Sequence, residues 1–120
     1  VFNNSTLGMV KLEMLVNGLP DFQTDVPDTN YAEVARAIGF HAERVEDASR
    51  LADAYREAFA APGPALVEVI TDPNALSLPP AITGGQVVGF ATAMSKIVLN
   101  GGIAEAFSMA TSNMRNIPRP

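Results

Sequence analysis

The sequence predicts an α/β protein, the C-terminal part of a doubly wound, mostly parallel sheet that ends in a helical tail. Three observations predict it. Residues 65–71 (Ala-Leu-Val-Glu-Val-Ile-Thr) are almost continuously apolar and β-branched, as a central parallel strand covered on both faces is. Strand-like and helix-like segments follow in the order strand, helix, helix, strand, helix, strand, the pattern of a layered α/β fold. Two more amphipathic segments then close the chain.

Val1-Phe2 are apolar and β-prone and are followed at once by Asn3-Asn4. They read as the last two residues of a buried strand, so the chain is expected to begin inside a domain. Residues 7–16 predict a helix after a polar turn from Asn3 to Thr6. Gly18, Pro20, Asp21 and Pro27 make residues 17–29 a loop. Asn30 is a good N-cap, and Glu33 three positions on completes a capping box. Tyr31, Val34, Ala35 and Ile38 share one helical face, and Gly39 is placed to end that helix in the left-handed conformation. Phe40 to Val45 read as a short strand. Asp47 caps a helix to Ala60 with Leu51, Ala54, Tyr55, Ala58 and Phe59 on its face, stopped by Pro62-Gly63-Pro64.

After the strand at 65–71, residues 72–85 hold three prolines and two glycines and read as an extended surface segment. A helix over 86–99 carries Val87, Phe90, Ala91, Met94 and Val98 on one face, and a last helix spans 102–114. The expected division is a partial domain at 1–72, a linker at 73–85 and a helical tail at 86–120.

The chain has 120 residues, of which 48% are hydrophobic, enough for one domain with a modest core. It has no Cys, which excludes disulfides and thiolate metal sites. The net charge is −5 and the eight basic residues are scattered, so nothing could neutralise a row of phosphates, and no nucleic-acid partner is expected. No apolar run is long enough to span a bilayer, and a soluble, cytoplasmic protein, or at most one that sits on a membrane surface, is expected.

Asn3 to Gly8 sit between a strand and a helix, where open α/β sheets bind ligands. Two Asn, a Ser and a Thr offer neutral oxygens and amides beside a helix N-terminus, which favours an anion such as a diphosphate. Amide and carbonyl oxygens are also hard ligands suited to Mg²⁺. On residue types alone, two readings stand: a metal-diphosphate loop, or a polar turn that caps a helix.

The run Phe2-Asn3-Asn4-Ser5-Thr6-Leu7-Gly8-Met9-Val10 resembles the closing half of the signature of thiamine-diphosphate enzymes, in which a Gly-Asp-Gly precedes an Asn-Asn pair. Asp28-Thr29-Asn30-Tyr31, Ala37-Ile38-Gly39-Phe40, Arg44-Val45 and Gly63-Pro64-Ala65-Leu66-Val67-Glu68-Val69 follow in the family's order. The fold implied is the C-terminal part of the thiamine-diphosphate-binding domain. Leu78-Pro79-Pro80 and the stretch from Gly89-Phe90 onward are most similar to quinone-linked pyruvate dehydrogenases, or pyruvate oxidases.

The resemblance implies oxidative decarboxylation of pyruvate to acetate and carbon dioxide, with electrons passing to flavin and then quinone. It implies thiamine diphosphate and Mg²⁺ as cofactors, with FAD in a domain outside this chain, and a homo-oligomer (dimer or tetramer). Asn4 would give Mg²⁺ its side-chain oxygen and Thr6 its backbone carbonyl, while Asn3 would hold the turn. Ser5, Leu7, Gly8 and Met9 would line the cofactor. Met9 stands where Phe is common in pyruvate oxidases. Glu13, one turn beyond Met9, matches a Glu near the reaction centre, and the two could face one cavity; a solvated helix Glu is the other reading. The chain alone is expected to be inactive. Within the same family, an acetolactate synthase or a non-oxidative decarboxylase is the alternative, and a small non-catalytic α/β module is a remoter one.

His41 reads as packing or surface, and Asp21, Asp25 and Asp28 as a solvated loop. The Met residues at 9, 14, 94, 109 and 114 read as core or interface filling. Ile103, Ala106, Phe107, Ala110 and Met114 share a face with Arg115 and Arg119 just after. By the resemblance such a tail would touch a membrane surface, and packing on its own enzyme is the alternative.

Overall fold

The computed structural model describes residues 1–76 and 81–114. The elements run β1 (Phe2–Asn3), α1 (Gly8–Val16), α2 (Tyr31–Ala37), β2 (His41–Val45), a 3₁₀ turn (Ala48–Arg50) into α3 (Leu51–Ala60), β3 (Ala65–Ile70), α4 (Gly84–Leu99) and α5 (Ile103–Asn113). This is the α/β class expected, with a small parallel sheet. The expectations placed on Leu78, Pro79, Pro80, Arg115 and Arg119 lie outside the described residues. No helix among the described residues is long and apolar enough to cross a membrane.

The chain forms two compact units, one from Val1–Ser5 with Pro27–Thr71, the other from Thr6–Val26 with residues from Asp72 onward. α1 packs with the later helices in the second unit.

The first unit is built on a parallel sheet in the order β1-β3-β2. Phe2 pairs with Val69 and Asn3 with Ile70, while β2 pairs from His41↔Ala65 to Val45↔Val69. The apolar run at 65–70 is thus the central strand, as its composition predicts. Asn30 Oδ1 accepts the Glu33 N–H at 2.9 Å and starts α2. Gly39, at φ +91°, ends it: its N–H reaches the Arg36 carbonyl at 3.0 Å and the Phe40 N–H reaches that of Ala35 at 3.0 Å, the paired closure that needs a left-handed residue.

Packing in this unit departs from the periodicity. The core is Ala32, Ala35 and Ala42 with Phe40 and Leu66 against them. Tyr31, Val34 and Ile38 are exposed, and in α3 Ala54 is buried while Tyr55 and Phe59 are exposed. Small residues let α2 approach the sheet closely enough for the Ala32 N–H to reach Glu68 on β3 at 3.0 Å. Phe2 is 77% exposed, a correction to the buried strand expected there; β1 is buried in this unit at Asn3, not at its aromatic residue.

The second unit packs α1, α4 and α5 around Leu15, Leu76, Ala93, Ile97 and Met109, with Leu12, Phe90, Met94 and Ala106 half-buried against them. α4 begins on a full capping box, Thr83 with Gln86, a signal that the sequence reading passed over. A Cβ on Gly89 would lie 1.8 Å from the Val16 carbonyl oxygen, so α1 and α4 touch backbone to backbone there. That contact rotates the inward stripe of α4 toward Gly89, Ala93 and Ile97; of the expected face Phe90 and Met94 still pack against the core, and Val87, Ala91 and Val98 are exposed. α4 is apolar around most of its circumference, so periodicity could not choose.

α5 buries Met109 and Asn113 and exposes Ile103, Phe107 and Met114, so that stripe packs inside this unit only at Ala106. The polar anchor explains the rotation: Asn113 Oδ1 accepts the Leu76 N–H at 2.9 Å, and its amide reaches the Asn74 and Met109 carbonyls at 2.7 Å each. Leu76, expected on an extended surface segment, is therefore tied into the core.

Candidate functional site

The loop from Asn3 onward passes from the first unit to the second between Ser5 and Thr6. In the first unit it is held by β3. Asn3 is buried. Its Nδ2 donates to Glu68 Oε1 at 2.7 Å and to the Thr29 carbonyl at 3.1 Å, and its Oδ1 accepts the Ser5 N–H at 3.1 Å. Both amide hydrogens are committed inside the chain, and the acceptor closes an Asx turn over Asn4. Ser5 sits at φ +49°, a left-handed position uncommon outside Gly, Asn and Asp. Asn4 and Ser5 are half-buried.

Glu68 is the residue that sequence reasoning missed. It is 0% exposed, and an unpaired buried carboxylate would be costly. Here Oε1 also accepts from Arg44 Nη1 at 3.2 Å, and Oε2 accepts the Ala32 N–H at 3.0 Å. Arg44 pairs with both oxygens of Asp28 at 3.0 Å and with Glu46 at 3.0 Å. Asp28 is thus part of an ion-pair network and not merely a solvated loop residue. A lone Glu inside a run otherwise apolar was the available signal.

Burial pushes the Glu68 carboxyl up, but the Ala32 N–H, the Asn3 amide, the Tyr31 N–H and the Arg44 charge together hold it below the ordinary value. The hydrogen bonds that Arg44 donates to Asp28, and next to Glu46, raise its guanidinium above the ordinary value. A carboxyl lowered on folding stabilises the fold above its unfolded pKa and loses that contribution as pH falls through the folded one. Unfolding midpoints measured from neutral pH to below roughly pH 4 should therefore drop more steeply for the wild type than for Glu68→Gln.

In the second unit Thr6 is buried and forms an isolated antiparallel bridge with Asp25. Its hydroxyl donates to the Thr24 carbonyl at 3.1 Å, and the Leu7 N–H donates to the same carbonyl at 2.8 Å. Leu7 is the N-cap of α1, which has no side-chain cap and no acid in its first turn; α2 and α4 both have capping side chains. Backbone amides at such a terminus suit an anion. Gly8 is half-buried and Met9 is 80% exposed.

Glu13 is exposed, and its Oε1 accepts from Asn17 Nδ2 at 3.3 Å. An apolar cavity of about 400 Å³ in this unit is lined by Phe90, Met109 and Met114 among others, and a polar one of about 340 Å³ by Asp21, Asp25 and Glu105 among others. Neither is lined by Met9 or Glu13. Lys11, a second residue missed, is buried on the same helix face as Leu15 and pairs with Asp21 at 3.2 Å. That contact corrects the expectation of a solvated Asp21. His41 is exposed at the start of β2.

Among the described residues no group of three or more His, Cys, Asp or Glu is placed to hold a metal. The donors in the loop are neutral amide and carbonyl oxygens, which suit a hard cation that also takes phosphate oxygens and water.

Comparison with known proteins agrees with these features. Residues 1–69 match the family model described as "Thiamine pyrophosphate enzyme, C-terminal TPP binding domain"; the pyrophosphate is the diphosphate under another name. Over 96 residues, 80% of this chain and 17% of the relative, the chain is 36% identical to the Bacillus subtilis (strain 168) protein named "Putative thiamine pyrophosphate-containing protein YdaP". Over 48 residues, 40% of this chain and 9% of the relative, it is 48% identical to "Acetolactate synthase large subunit IlvG" of Mycobacterium tuberculosis. The chain thus matches 17% or less of the length of these curated relatives.

Proposed function

Because the chain belongs to the family of C-terminal, thiamine-pyrophosphate-binding domains of thiamine pyrophosphate enzymes, we propose that it helps bind thiamine diphosphate and Mg²⁺ in an enzyme that decarboxylates a 2-oxo acid, pyruvate first among them. The observation that carries this is the run Asn3–Met9: neutral oxygens lead into a helix whose first turn has no capping side chain. Asn4, through its side-chain oxygen, and Thr6, through its carbonyl, are the proposed metal ligands. Ser5, Leu7, Gly8 and Met9 are proposed to line the cofactor. Bound there, thiamine diphosphate supplies the electron sink for loss of carbon dioxide. The chain's share is to anchor the diphosphate end and orient it, with Glu13 and Met9 proposed nearer the substrate.

Two fates of the product are in play. The order of motifs after residue 72 favours the pyruvate oxidase type, with FAD, a quinone acceptor, a homo-oligomer and a membrane contact through α5, whose Ile103, Phe107 and Met114 are exposed. Identity to a protein named acetolactate synthase favours joining two 2-oxo acids instead. The full-length protein, mixed anaerobically with pyruvate, thiamine diphosphate and Mg²⁺, separates them. Flavin bleaching restored by quinone is the result expected of the oxidase type. Acetolactate formation without bleaching assigns the synthase, and no consumption of pyruvate removes it as substrate.

A further inference from the structure

Resting on that cofactor assignment, we infer that Glu68 is a positioning residue for the metal-binding loop, acting through Asn3 on Asn4. Glu68 is fully buried in the middle of the central strand, where Val or Ile would suit the surrounding sequence better. Replacing buried ion pairs by apolar residues is often neutral or stabilising, so fold stability alone is a weak reason for this carboxylate.

Its contacts supply another. One oxygen takes Asn3 Nδ2 at 2.7 Å and the other takes the Ala32 N–H at 3.0 Å. Arg44 fixes the carboxylate from β2 at 3.2 Å. Asn3, gripped this way, turns its Oδ1 onto the Ser5 N–H at 3.1 Å. That bond spans Asn4 and holds Ser5 at φ +49°. The backbone of Asn4 is therefore set by a chain of three hydrogen-bonded groups that ends on a rigid strand, as supporting residues set ligands at metal sites.

The test uses the full-length protein with saturating thiamine diphosphate and Mn²⁺ as a spectroscopic probe of the Mg²⁺ site. Glu68→Gln places an amide N–H against groups that already donate. Asn3→Asp keeps the acceptor for Ser5 but removes the donor to Glu68 and sets two carboxylates together. Each should weaken Mn²⁺ binding by about 10- to 100-fold, and the double variant should be no worse than the weaker-binding single one.

Asn3→Asp is the sharper of the two. An Asn that touched the metal directly would bind as well or better as Asp, whereas an Asn that acts through Glu68 loses affinity. If Glu68→Gln does not fold, Asn3→Asp decides alone. Wild-type affinity in both variants, or losses that multiply in the double variant, would overturn the inference while leaving the cofactor assignment intact. Failure of the wild type to bind Mn²⁺ with thiamine diphosphate overturns the cofactor assignment, and the positioning role with it.

Discussion

Gly89→Ala is expected to destabilise the second unit by roughly 1–3 kcal/mol, the cost of forcing atoms into a packed interface. The new methyl would sit 1.8 Å from the carbonyl oxygen of Val16. Backbone cannot swing aside as a side-chain tip can, so α1 and α4 must separate, and the core around Leu15 and Ala93 must loosen with them. Gly85→Ala, one turn earlier in α4, has the opposite sign. Nothing lies within 4 Å of that position, and removing a glycine from a helix gains about 0.4–1 kcal/mol through the unfolded chain. Denaturant unfolding of the two variants beside the wild type checks both. Equal midpoints for the pair would mean that the helix contact is not as described.

Asn4→Ala has the larger effect on ligand binding. If Asn4 donates its side-chain oxygen to Mg²⁺, the variant should lose at least about tenfold in thiamine diphosphate affinity, while the Asx turn made by the Asn3 side chain and the Ser5 N–H stays formed. Titration of the cofactor into the full-length variant at fixed Mg²⁺ measures it. Unchanged affinity would remove Asn4 from the metal site.

Much of the fold was legible because local chemistry and tertiary structure agree. The run at 65–71 gave a central parallel strand, Asn30 and Gly39 closed α2 from both ends, and the Asn3–Gly8 loop led into α1. Helix faces were less legible. In α2 and α3 the inward residues are alanines, which carry little weight in a hydrophobic pattern, while Val34, Tyr55 and Phe59 dominate the periodicity and face outward. In α5 the inward stripe includes Asn113, a polar anchor that no apolar count would select.

At the candidate site the loop could be read from residue types together with family resemblance, but its support could not. Glu68 lies 65 residues from Asn3, and only the pairing of β1 with β3 brings them together. Lys11 likewise looks like a surface residue until the loop carrying Asp21 folds over it.

The central claim is tested most directly by titrating thiamine diphosphate into the full-length protein by calorimetry, once with Mg²⁺ and once with excess chelator. Saturable binding that requires Mg²⁺ is the predicted result. No binding in either condition, or binding of equal strength without the metal, would contradict the assignment of Asn3–Met9 to a metal-diphosphate site.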